Sequence, residues 1–188
     1  MRKALEVADL HLVILDRDGV INEDSPDFIK SADEFIPLPG ALEAIAALNR
    51  AGYTVVVATN QSGLARGLFD EGDLDAIHTK LDVLLSEHGG SIDAVFLCPH
   101  GPDDGCDCRK PAPGLLLEIA EHYGISLDGV PCVGDRTRDL EAARAVDATP
   151  ILVRTGNGSA TEGETAAEGV LVYDDLAAFV RTLTGDRT

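Results

Sequence analysis

Basic charge is the scarcest property of this sequence: four lysines, Lys3, Lys30, Lys80 and Lys110, stand against 33 carboxylates, and the formal net charge is −18. That deficit excludes a nucleic-acid backbone or an anionic membrane as the main partner, because both require clustered Lys and Arg. It does not exclude an anionic small molecule, which responds to the local field. Long apolar runs are missing too, and none approaches the length of a membrane span. Met1 to Asp9 carries acidic residues where a signal peptide needs an apolar core, so the expected compartment is the cytoplasm. No internal repeat or low-complexity segment appears, and nothing in the chain requires an oligomer, so a monomer is expected. What is present, 188 residues of which 45% are hydrophobic, suits one domain spanning residues 1–188 with a sizeable core.

The stretch that organises the rest is Leu12-Val13-Ile14-Leu15-Asp16-Arg17-Asp18-Gly19, an apolar run that stops at two carboxylates one residue apart. Such a run fits a central parallel strand covered on both faces, and Gly19 frees the backbone to turn directly after it. Ligands of open α/β sheets bind at the carboxyl ends of such strands. Two carboxylates there repel, so the pair needs a bound cation, a proton, or both. A plain strand end with an Asp-Gly turn is the other reading of these residues.

A long connection from Ile21 to Gly40 follows and is placed to cover the strand end. Ala41 to Arg50 reads as a helix, and Tyr53 to Ala58 as a second buried strand. That strand ends in Thr59-Asn60-Gln61-Ser62-Gly63, which is either an anion cradle or a polar turn. Asp70 to His88 has the longest helical periodicity, and Ile92 to Leu97 is a third strand. Pro113 to Tyr123 is a helix, Val130 to Val133 a fourth strand running into Gly134-Asp135, and Pro150 to Val153 a fifth. Gly156 to Gly163 reads as a mobile, polar, Gly-rich loop before a last strand and helix over residues 170–183. Strands alternating with helices imply an α/β fold, a doubly wound parallel sheet of Rossmann-like type, with no room for a large cap domain.

Two constellations carry chemistry. Asp16 and Asp18 end one strand and Asp135 another, so the fold can gather them around a hard cation such as Mg²⁺. With Thr59 and Lys110 they describe a phosphoryl site, in which cation and lysine offset the charge and Thr59 donates a hydrogen bond. Cys98, His100, Cys106 and Cys108 form a tetrahedral zinc set within residues 98–108, with no position left open and hence structural in kind. A disulfide or unconnected reduced cysteines are the other readings. A cytoplasmic chain disfavours the disulfide, and Cys132 reads as a core residue.

In order, the motifs Asp16-Arg17-Asp18-Gly19-Val20-Ile21-Asn22, Thr59-Asn60-Gln61-Ser62-Gly63, Arg109-Lys110-Pro111 and Gly134-Asp135 with Asp139 resemble those of haloacid dehalogenase superfamily phosphatases. The resemblance implies that Asp16 is the nucleophile, becoming an aspartyl phosphate, and that Asp18 is the leaving-group acid and then the base for water. It implies Mg²⁺ held by Asp16, the Asp18 backbone carbonyl and Asp135, with Asp139 supporting them. The zinc loop is similar to that of the branch containing heptose bisphosphate phosphatases and histidinol-phosphate phosphatases. Thr59 to Gly67 and Leu152 to Gly156 favour the heptose side, hence release of the 7-phosphate of a heptose 1,7-bisphosphate, with histidinol phosphate as the alternative substrate. By the same resemblance, Asp24, Ser25, Pro26, Asp27, Asn60, Gln61, Ser62, Arg109 and Arg136 contact a small sugar phosphate.

Overall fold

The structure is a computed structural model that describes residues 11–185, so the reading of Met1 to Asp9 lies outside the described residues. Six strands, β1 (Leu12–Leu15), β2 (Thr54–Asn60), β3 (Ala94–Cys98), β4 (Pro131–Gly134), β5 (Thr149–Val153) and β6 (Leu171–Tyr173), form one sheet in the order β3-β2-β1-β4-β5-β6. All neighbouring pairs are parallel.

The pleat of β1 explains why its sequence is apolar throughout. Val13 and Leu15 point into one core, Leu12 and Ile14 into the other, and all four are essentially inaccessible. The first core is closed by α1 (Ala41–Arg50), α2 (Glu71–Glu87) and α6 (Leu176–Thr184), which contribute Ile45, Leu48, Ile77, Leu81, Leu85, Leu176 and Phe179. The second is closed by α3 (Gly114–Tyr123) and α4 (Thr137–Arg144) through Leu115, Leu116, Ile119, Ala142 and Ala143. Period-2 alternation therefore buries every β1 side chain, each stabilising by about 1.5–3 kcal/mol relative to exposure. Among the described residues no helix is long and apolar enough to cross a membrane.

Chain direction across the sheet decides where a ligand goes. From β1 the chain winds outward through β2 to β3, then returns to the other side of β1 at β4 and winds outward again. The crevice at the carboxyl ends of β1 and β4 is thus the topological switch point, and Asp16 and Asp135 are the first residues beyond those two strands.

Strand β2 runs two residues past its apolar stretch, because Thr59 and Asn60 still pair with Leu97 and Cys98 of β3. The segment read as a mobile loop over Gly156 to Gly163 departs further from expectation. Gly158–Thr161 is one helical turn, α5, and Thr161 is buried with its hydroxyl donating to the Asp135 carbonyl at 2.9 Å. Local composition favoured a loose chain, and tertiary hydrogen bonds order it.

Candidate active site

Asp16 is fixed from three directions. Its N–H donates to the Val133 carbonyl of β4 at 2.9 Å, its Oδ1 accepts from the Arg17 N–H at 2.8 Å, and Lys110 Nζ lies 3.1 Å from the same oxygen. The other oxygen, Oδ2, is buried without a hydrogen-bond partner. Asp135 repeats the pattern: Oδ2 accepts from the Asn157 N–H at 2.8 Å, while Oδ1 is buried and unpartnered. One carboxylate oxygen from each of Asp16, Asp135 and Asp139 lies within 4.8 Å of the others. Three buried carboxylates thus face one ammonium, an arrangement that costs several kcal/mol unless a further cation completes it. Orphaned oxygens and an all-carboxylate donor set fit a hard dication, so this cluster can hold Mg²⁺.

The electrostatics say the same. Burial pushes Asp16 up to about 6 against the pull of Lys110, and burial with the nearby Asp16 charge pushes Asp135 up to about 7. Burial also works against the Lys110 ammonium, but Asp139 at 2.6 Å and Asp16 outweigh it and hold its pKa above the usual lysine value. Lys110 is placed by the end of β2: Nζ donates to the Ala58 carbonyl at 2.7 Å, and the Asn60 carboxamide bonds both its N–H and its carbonyl at 3.1 Å. Both polar atoms of Asn60 are thereby engaged in holding Lys110.

Asp18 sits in a different environment. The fully buried Arg17 guanidinium grips its carboxylate through Nε and Nη2 at 2.9–3.1 Å, and Asn22 and Gln61 donate at 2.9 and 3.0 Å. Burial raises the Asp18 pKa, but these donors outweigh it and hold the group below the ordinary aspartate value. Gln61 Nε2 also reaches Thr59 Oγ1 at 2.9 Å, linking the hydroxyl to the carboxylate.

A cavity of about 230 Å³ opens over Asp18, walled by the loop after β1 (Asp24, Ser25, Pro26), the end of β2 (Asn60, Gln61, Ser62) and four arginines, Arg66, Arg109, Arg136 and Arg138. Asp24 is already engaged, accepting from Arg136 Nη2 at 2.5 Å and Asn157 Nδ2 at 2.8 Å. Asp27 is exposed and lies outside the cavity wall, its carbonyl accepting from Lys30 Nζ.

Sequence reasoning missed Asn157, Gly156, Arg138 and Arg66. Gly156 had a signal in the Gly-rich turn after β5, whereas Asn157 had none, because its role depends on β5 lying beside β4. Gly19 and Gly156 both have positive φ, and a Cβ on either would lie 2.3 Å from Asp135 Oδ2, so the two glycines let the backbone close around that carboxylate.

At the outer end of β3, Cys98, His100, Cys106 and Cys108 gather their ligand atoms within 4.8 Å of one another. The sulfurs lie 3.0–3.6 Å apart, too far for disulfides. Burial and hydrogen bonding with Cys98 and Cys106 push the Cys108 thiol up to about 12. Four soft and borderline ligands converging this tightly suit a closed tetrahedral metal site. The loop ends at Arg109, whose Nη1 donates to the His100 carbonyl at 3.1 Å, one residue before Lys110. Cys132 is buried in the second core, as its strand position implied.

Known proteins share this architecture. The HAD-hydrolase-like family model matches residues 107–179. The D-glycero-beta-D-manno-heptose-1,7-bisphosphate 7-phosphatase of Pseudomonas aeruginosa is 59% identical over 172 residues, covering 92% of this chain and 97% of its own. The enzyme of that name from Bordetella bronchiseptica is 57% identical over 175 residues, covering 93% and 98%. A crystal structure of D,D-heptose 1,7-bisphosphate phosphatase from B. bronchiseptica, complexed with magnesium and phosphate, superposes with a TM-score of 0.92 at 55% identity, over 95% of this chain and 100% of that one. With fold, motif order and this degree of identity in agreement, the chain belongs to the D-glycero-beta-D-manno-heptose-1,7-bisphosphate 7-phosphatase family of haloacid dehalogenase-like phosphatases.

Proposed function

We propose that this phosphatase releases the 7-phosphate of the β anomer of D-glycero-D-manno-heptose 1,7-bisphosphate, with Asp16 as the nucleophile and the rest of the site arranged around it. The observation that carries the substrate is the cavity beside Asp18. In a chain of charge −18 its wall holds four arginines and only two aspartates, each already paired with an arginine. A second phosphate finds complementary charge there, whereas the ammonium of histidinol phosphate meets like charge.

The chain's own residues account for the chemistry. The Asp16 carboxylate attacks phosphorus as the bond to the C7 oxygen breaks, giving an aspartyl phosphate and an alkoxide that takes a proton from Asp18. Asp18 is held ionised by Arg17, so donation depends on the substrate: a phosphate dianion beside Asp18 raises its pKa and loads it with a proton. Asp18 then takes the proton of the water that attacks the aspartyl phosphate, freeing inorganic phosphate and Asp16. Lys110 and Thr59 face the transferring group, the first offsetting charge and the second donating a hydrogen bond. Asp16, Asp135 and the Asp18 carbonyl would hold Mg²⁺, which supplies further charge neutralisation.

In this reading residues 1–188 act as one phosphatase domain, as a cytoplasmic monomer, since one chain supplies every group. Cys98, His100, Cys106 and Cys108 would hold Zn²⁺, whose contribution is to fix the loop over residues 98–108.

The substrate is tested by kcat/KM for both anomers of the bisphosphate beside histidinol phosphate. The expected result is a preference of about a hundredfold or more for the β bisphosphate, on the order of 3 kcal/mol in transition-state binding. A preference for histidinol phosphate would overturn the substrate while leaving the chemistry in place.

The Mg²⁺ assignment yields a second expectation. In Gly156→Ala the new Cβ would lie 2.3 Å from Asp135 Oδ2 and 2.7 Å from Gly19 Cα, at a φ of 57° that alanine resists. The Mg²⁺ concentration for half-maximal activity should rise about 10–100-fold, the usual cost of disturbing support around a metal ligand. An unchanged Mg²⁺ requirement would remove Asp135 from the metal site.

A further inference from the structure

The Mg²⁺ cluster and the zinc loop leave one part of the cavity without a role, the side formed by Arg66 and Phe28. Arg66 follows β2, is exposed, and has its guanidinium carbon 5.6 Å from the centroid of the Phe28 ring. Both residues line the cavity over Asp18.

Two features set this pair apart. Phe28 has a φ of 66°, and with Asp147 it is one of two non-glycine residues in the left-handed region among the described residues. An aromatic residue adopts that conformation at a conformational cost, and such costs gather where a side chain must be held in place for binding. The ring is thereby presented to Arg66 from a loop otherwise rich in proline and aspartate.

The second feature is charge. Of the four cavity arginines, Arg136 is paired with Asp24, whereas Arg66, Arg109 and Arg138 form no ion pair among the described residues, and of these three it is Arg66 that lies over an aromatic ring. A guanidinium over an aromatic face is attracted by the ring without spending its N–H groups on a partner. The ring contact therefore leaves the N–H fork of Arg66 free for a phosphate. Arg138, in contrast, directly precedes Asp139, whose carboxylate lies within 4.8 Å of that of Asp16, which places it on the side of the transferring group.

We propose that Arg66 is a specificity-determining residue that binds the phosphate which is not transferred, and that Phe28 is the positioning residue that orients it. This rests on the bisphosphate reading above and names the group that recognises the second phosphate. The long connection after β1 thereby gains a defined role, since it carries the ring that aims an arginine from the neighbouring loop.

The test compares Mg²⁺-loaded wild type with R66Q, R66K and F28L, using heptose 1,7-bisphosphate and heptose 7-phosphate. The quantity read is the ratio of kcat/KM for the bisphosphate to that for the monophosphate. R66Q should lower the ratio tenfold or more, chiefly through KM for the bisphosphate, with R66K recovering part of it and F28L causing a smaller fall. A purely structural role would depress both substrates together and leave the ratio in place, and that outcome overturns the proposal. A wild-type preference for the bisphosphate kept intact in R66Q overturns the Arg66 assignment alone. A wild-type ratio near one overturns the bisphosphate reading and this proposal with it.

Discussion

Replacing Asp16 by asparagine is expected to lower kcat by about four orders of magnitude or more while the protein folds as before, because a carboxamide cannot form the aspartyl phosphate. The local structure explains why the fold survives. Asparagine keeps an acceptor oxygen for the Arg17 N–H, and the backbone bond from residue 16 to Val133 is untouched. Lys110 keeps its bonds to Asp139 and the Ala58 carbonyl. The substitution also removes one of three crowded carboxylates, the one whose burial raises its pKa to about 6. A group raised in this way opposes folding increasingly as pH rises through 4 to 6, since the native state must then hold a charge that the unfolded chain carries freely. At pH 7.5 without Mg²⁺, Asp16→Asn should therefore melt no lower than wild type. Turnover within about tenfold of wild type would dispose of covalent catalysis by Asp16.

Removal of the zinc site is the second large expectation. Structural zinc contributes on the order of 10 kcal/mol of binding energy that is also folding energy. Cys106→Ser should lose the metal, lower the melting temperature and impair catalysis. The impairment has a particular form, because the two basic residues after the loop are held differently. Lys110 keeps three bonds to Ala58 and Asn60 on β2, whereas Arg109 is held by the His100 carbonyl inside the loop itself. KM for the bisphosphate should therefore rise by a larger factor than kcat falls. Zinc content by elemental analysis, thermal denaturation and steady-state kinetics on one preparation check this. A Cys106→Ser protein that keeps its zinc, stability and activity would end the structural-zinc reading.

The strand ends were legible because burial on both faces demands continuous apolar residues, and the polar residue that breaks each run marks the end facing the ligand. Asp16, Thr59 and Asp135 were all visible on that ground. Arg17 was not: it lies between two acids at a turn, yet it is fully buried and spends its guanidinium on Asp18. Nothing in a linear pattern distinguishes a buried arginine from a solvated one. Asn157 was hidden for another reason. Its role comes from β5 lying beside β4, which brings residue 157 to residue 135, while Gly-Ser-Ala-Thr around it suggests only a flexible chain. Asp139 was visible as one turn from Asp135, but its ion pair with Lys110 depends on where β2 delivers the lysine.

The placement of Asp16 and Asp135 on adjoining central strands has a consequence for how this molecule can change. The two acids hang from β1 and β4, so displacing them means breaking the sheet at its middle, an opening that costs nearly the whole stability of the domain. The arginines of the cavity wall, to which substrate choice is assigned under the proposed function, follow the strands or sit at the start of a helix, where rearrangement costs far less. Substitutions at the rim can accumulate and retune selectivity while the hydrolytic centre is kept by the same forces that keep the fold.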